Sequence, residues 1–81
     1  MGIEKLAQED FELLKEAVWR NKPSLMNVAN LVGKSALTAE QRLALREALA
    51  DELCSTGLMS DGEPNERGVK LDAIIGKLMF Y

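Results

Sequence analysis

The chain predicts an all-α fold, a small orthogonal or up-down bundle of about four helices over residues 4–21, 23–32, 38–56 and 64–79. Three observations carry this expectation. Apolar residues recur at the 3.6-residue spacing of helices, and no stretch alternates apolar and polar residues as a half-buried strand would. Pro23, Gly33, Gly57 and Pro64 cut the chain into helix-sized pieces. The piece between the caps Thr38 and Gly57 has no internal proline, glycine or β-branched residue before its last turn, and is rich in Ala, Leu, Glu, Arg and Gln, all good helix formers.

The first helix starts at about Glu4 or Gln8 and ends at Asn21. Leu6, Ala7, Phe11, Leu13, Leu14, Ala17 and Val18 gather on one side, opposite Gln8, Glu9, Glu12, Lys15, Glu16 and Arg20. Trp19 falls among the polar residues. Because indole is costly to leave wet, the segment that follows is expected to fold back over it. Asn21-Lys22-Pro23 stops the helix, since the residue before a proline is pushed out of the α region, and Pro23 suits the first position of a new one. That second helix, over 23–32, carries Leu25, Met26, Val28, Ala29 and Val32 but also Asn27 and Asn30, so packing rather than propensity must hold it.

Thr38 and Gln41 form a capping box at the start of the third helix, and Gly57 is expected to end it in the left-handed conformation. Leu45, Leu49 and Leu53 make one stripe along it; Ala39, Leu43, Ala50 and Cys54 make a second. So wide an apolar arc suits the middle helix of a bundle. It also raises the question of whether Leu43, Ala50 and Cys54 are left for a partner. After the turn-rich segment around Asp61-Gly62-Glu63-Pro64, Pro64 is expected to open the last helix. There Leu71, Ile74, Ile75, Leu78 and Met79 form the core stripe, and Val69, Ala73, Gly76 and Phe80 a second, narrower face.

Composition narrows the function. Eighty-one residues make one domain with a small core, and such a domain commonly draws support from a staple or a partner. The single Cys54 forms no internal disulfide, and a chain without histidine lacks the usual zinc ligand sets. Oligomerisation is the expected support. Ten basic against 13 acidic side chains, a net charge of −3, disfavour nucleic acid and anionic membrane as partners. Nothing near Ile3–Asp10 reads as a signal peptide and no apolar run reaches the length of a membrane span, so a cytoplasmic setting is expected.

Without histidine the common serine and cysteine triads are excluded. Cys54 sits near a helix C-terminus, where the dipole disfavours a thiolate. No catalysis, cofactor or metal is expected. The alternation Asp61, Glu63, Asn65, with Asp72 at the twelfth place, suggests a calcium loop only superficially: Glu66 stands where glycine is needed, and Asp replaces the bidentate Glu. A helix-turn-helix is the alternative reading, with Val28-Ala29 and Gly33 as the turn and the helix from Thr38 as the reader. That helix opens with Thr38, Ala39 and Glu40 and offers only Gln41, Arg42 and Arg46 to bases.

The preferred expectation is a small cytoplasmic interaction or regulatory module acting through helix-face contacts with another protein or a second copy of itself, most simply a homodimer. Its candidate interface residues are Trp19, Arg42, Arg46, Val69, Ala73, Met79, Phe80 and Tyr81. Arg42 and Arg46 are expected to lay their stems along apolar surface with their heads in water. Glu47, Asp51 and Glu52 read as a solvated acidic face whose mutual repulsion a basic surface, or Arg42 and Arg46 of another copy, would relieve. Leu78 and Met79, with the aromatic pair that follows, are expected to pack back onto the chain's own core.

Overall fold

The computed structural model describes residues 6–80, Phe80 through its backbone alone. It is an all-α bundle: α1 (Gln8–Asn21), a 3-10 turn (Pro23–Leu25) running into α2 (Met26–Ala29), α3 (Ala39–Thr56), α4 (Glu66–Lys77), and a closing 3-10 turn (Leu78–Phe80). Among the described residues there is no strand, only one antiparallel bridge between Leu58 and Pro64. Residue 4, the earlier of the two expected starts of the first helix, and Tyr81 lie outside the described residues.

α1 begins at Gln8, the later of the two expected starts. Ala7 is extended (φ −70°, ψ 162°) and has no side chain to cap with, so only Glu9 and Asp10 favour the positive helix end. Leu6 is buried although it precedes the helix. At the other end Lys22, held out of the α region by Pro23, donates its N–H to the Val18 carbonyl. The second helix is shorter than 23–32. Pro23 opens a 3-10 turn, α2 lasts four residues, and hydrogen bonds from Leu31 to Val28 and from Val32 to Ala29 tighten the chain into turns. Poor propensity accounts for this, and Ala29 and Val32 are held by burial. Gly33 turns the chain at φ 84°, a conformation that favours glycine.

α3 starts as its sequence demands. Thr38 Oγ1 accepts from the Gln41 N–H at 3.0 Å, and Gln41 Oε1 accepts from the Thr38 N–H at 2.9 Å. The left-handed stop does not occur at its end, since Gly57 has φ −100°. Glycine is needed there for space instead. A Cβ on Gly57 would sit 2.9 Å from Gly68 Cα, and one on Gly68 would run into the Gly57 carbonyl. The end of α3 thus touches the start of α4 backbone to backbone.

Asn65 fixes this corner. Its Oδ1 accepts from the Gly68 N–H (2.8 Å), its Nδ2 donates to the Thr56 carbonyl (3.0 Å) and its own N–H donates to the Gly57 carbonyl (2.8 Å). Asn65, not Pro64, therefore opens α4: an amide side chain in the capping position satisfies orphan groups at both helix ends. Pro64 lies one residue earlier, in the bridge with Leu58. The intervening loop closes through Met59 N–H to Glu63 O (2.7 Å) and turns at Gly62 (φ 90°).

Leu14, Ala17 and Val18 of α1, Leu45, Ala48 and Leu49 of α3, and Leu71 and Ile74 of α4 with Leu78 form the core, joined by Leu6, Ala29, Val32 and Leu37. Each large apolar side chain so buried contributes about 1.5–3 kcal/mol. α3 packs against both α1 and α4, as a middle helix should. Its second stripe is a different matter: Ala39, Leu43, Ala50 and Cys54 all face outward.

Candidate functional site

Among the described residues one charged side chain lies buried beside this core, that of Glu52. Its side chain is 2% exposed, which overturns its assignment to a solvated acidic face; Glu47 and Asp51 do stay outside. The carboxylate sits where α1, α3 and α4 meet. Oε1 accepts from Asn21 Nδ2 at 2.9 Å, and Oε2 accepts from Thr56 Oγ1 and from Arg67 Nη2, both at 2.8 Å. Arg20 Nη1 approaches Oε2 at 3.5 Å. Asn21 Nδ2 also donates to the Ala17 carbonyl, which fixes the amide.

Arg67 spans the cluster. Its Nε donates to Thr56 Oγ1 at 2.9 Å, while Nη2 reaches both Glu52 and Glu16 of α1 at 2.8 Å. Burial pushes the Glu52 carboxyl up. The hydrogen bonds from Arg67, Asn21 and Thr56 and the charge of Arg20 outweigh that, and its pKa falls below the ordinary carboxylate value. Arg67 is correspondingly pushed up, first by Glu52 and then by Glu16. A carboxylate so held is a poor proton acceptor at neutral pH and a strong fixed anion. It locks three helices in register.

Both residues left a trace in the sequence. Glu52 follows Leu45, Ala48 and Leu49 at the i+7, i+4 and i+3 places, on the buried side. Arg67 stands in the first turn of α4, where a cation opposes the helix dipole unless an anion claims it. A shallow groove between α1 and α4, lined by Glu12, Leu13, Glu16, Glu66, Arg67 and Lys70, meets the cluster at Glu16 and Arg67.

The expected interface residues do not form a single surface. Trp19 is 64% exposed on the polar side of α1, so the following segment does not cover it. The chain turns away at Lys22 and Pro23 toward the opposite, buried side, where Ala29 and Val32 pack. Met79 is likewise 64% exposed; of the terminal residues whose side chains are described, only Leu78 packs inward. The Phe80 side chain and Tyr81 lie outside the described residues. Val69 (59% exposed) and Ala73 look outward from α4.

Ion pairs from Asp10 to Lys77 and from Glu16 to Arg67 run α1 antiparallel to α4. Trp19 therefore lies toward the start of α4, and Met79 at its other end. The Gly57–Gly68 contact runs α3 antiparallel to α4 as well, so Leu43, 55% exposed, shares the Met79 end.

Arg42 and Arg46 flank the outward stripe of α3. The Arg42 head does not reach freely into water: its Nη1 donates to the Leu37 carbonyl at 3.0 Å. Arg46 buries its Nε without a hydrogen-bond partner among the described residues. These bonds also bear on the helix-turn-helix reading. Residues 30–38 separate α2 from α3, longer than the 3–4-residue turn of that motif. Gln41 and Arg42, two of its three base-reading side chains, are spent on the backbone of Thr38 and Leu37.

Among the described residues no helix is long and apolar enough to cross a membrane. Comparison of the chain with protein-family models, with curated proteins and with solved structures finds no match.

Proposed function

We propose that this chain is a small cytoplasmic protein–protein interaction or regulatory module, without catalysis of its own, that engages another protein or a second copy of itself through the outer faces of its helices. The observation that carries the reading is the contrast between inside and outside. A network of six side chains and a glycine contact staple three helices together, while Trp19, Leu43, Val69 and Met79 are left largely uncovered. Scattered apolar residues are ordinary on a surface, but an outward tryptophan on a packed helix is the kind of anchor that binding surfaces use.

The test is affinity capture from the native cell with the wild-type chain and with Trp19→Glu, Leu43→Glu and Val69→Glu, each checked for unchanged helicity. A protein held by the wild type and lost with one of these variants supports the reading. Identical captures by all four overturn it.

A further inference from the structure

We propose that the outward stripe of α3 is covered by the same stripe of a second copy, the two helices lying parallel about a two-fold axis that runs along them. This rests on the helix-face reading above and names the occupant of one such face.

At 3.6 residues per turn Ala39, Leu43, Ala50 and Cys54 fall in one narrow arc, and all are exposed. Leu43 is the one bulky group, set between small residues that let a second helix come close. The two edges of the arc carry opposite charge. Arg42 and Arg46 lie on one edge; Glu40, Glu47 and Asp51 lie on the other.

Most of these edge charges have no ion pair among the described residues, as Lys15, Lys34 and Lys70 have none; what sets them apart is that basic and acidic groups line opposite edges of one apolar stripe. Arg20, Arg67, Lys22 and Lys77 all have acidic partners. Among the described residues, Arg42, Arg46, Glu40 and Asp51 have no ion pair, and Glu47 reaches only Lys22, at 3.6 Å. Arg46 in addition keeps a buried, unbonded Nε.

Symmetry then decides the orientation. In an antiparallel pair the two-fold axis brings like edges together, arginines onto arginines and carboxylates onto carboxylates. In a parallel pair it lays the basic edge of each copy on the acidic edge of the other. The spacing fits for one pair: with Leu43 and Ala50 at the d positions of a heptad, Arg46 stands at g and Asp51, five residues on, at the next e, the step by which flanking residues of parallel helices meet. This pair occurs twice by symmetry. One helix pair is at the small end of stable interfaces, so the dimer is concentration-dependent and weakens with salt. The parallel axis also sets the exposed Cys54 of the two copies side by side.

The experiment combines sedimentation equilibrium with cross-linking of the native cysteine by air oxygen and copper–phenanthroline, in which two thiols give up two protons and two electrons to oxygen. The expected results are a concentration-dependent dimer mass and a covalent dimer through Cys54. A Cys54→Ser, Asp61→Cys control, with its thiol on the exposed loop, should not cross-link under the same conditions. Arg46→Glu should weaken self-association about tenfold, and the swap Arg46→Glu with Asp51→Arg should restore it, with helicity unchanged in both. A monomer at every concentration up to about 1 mM overturns the second copy as occupant; the capture experiment then still judges the wider reading. A dimer that does not cross-link through Cys54, or that Arg46→Glu tightens, overturns the parallel pairing and leaves the helix-face reading standing.

Discussion

Arg67 and Glu52 meet at 2.8 Å across the junction of α4 and α3, and the same guanidinium nitrogen lies 2.8 Å from Glu16 on α1. Removing the buried partner strands the other. Glu52→Ala leaves Asn21, Thr56 and Arg67 without their acceptor and opens a void, so it should cost about 3 kcal/mol, a large share of what a domain this size has. Glu52→Gln keeps the shape and one acceptor oxygen and should cost about 1–2 kcal/mol. Urea unfolding followed by circular dichroism measures both. Equal midpoints for wild type and Glu52→Ala would show that the cluster does not hold the helices together.

The same carboxylate makes stability depend on acid. Its folded pKa is depressed below the ordinary value, so the unfolded chain binds the proton more readily. The contribution is complete above the unfolded glutamate pKa, about 4.3, and is lost as pH falls through the lower, folded value. Unfolding free energy should therefore drop below about pH 4.3 and should drop less in Glu52→Gln, which has no proton to take up there. Parallel pH profiles of the two proteins would contradict this.

Two glycines in α4 should respond in opposite directions. Gly68 faces the Gly57 carbonyl, and an added Cβ has nowhere to go unless the backbone of the α3–α4 corner moves; Gly68→Ala should cost about 3 kcal/mol. Gly76 has open space around its Cβ position and no positive φ. In a helix, Gly76→Ala should stabilise by roughly 1 kcal/mol. Thermal melts of the two variants give the signs directly.

Local rules explain which parts of this fold were legible in the sequence. The capping box of Thr38 and Gln41, the stop at Asn21–Pro23 and the stripes of α1 and α4 depend on neighbours in sequence; the first two appear as read, and the stripes do except for Ala7 and Met79, which are exposed at the helix ends. What propensity could not supply was tertiary. Gly57 reads as a helix stop but is needed for its contact with Gly68, eleven residues on. Pro64 reads as a helix start but yields to Asn65, whose amide has partners on both helices. Glu52 reads as surface because charge outweighs position in a hydropathy pattern, and only the convergence of Asn21, Thr56 and Arg67 makes its burial affordable. Of the candidate interface residues, Val69 and Ala73 look outward on the second face of α4 as read, whereas Trp19 and Met79 are outward against the expectation that each would be covered. Their separation to two ends of the bundle follows from helix directions that no single helix encodes.

Trp19 is the only tryptophan in the chain, which makes its exposure measurable without labelling. At 64% exposure its indole meets water in the folded monomer, so native emission should lie close to that of the unfolded protein, and acrylamide should quench both nearly equally. The α3 pairing leaves α1 free, so quenching should stay constant as concentration rises and the dimer forms. A partner that docks on the outer face of α1 should instead shift the emission to the blue and protect it. Strong protection in the isolated chain at low concentration would mean that the indole is packed inside the fold after all, and would remove Trp19 from the candidate anchors.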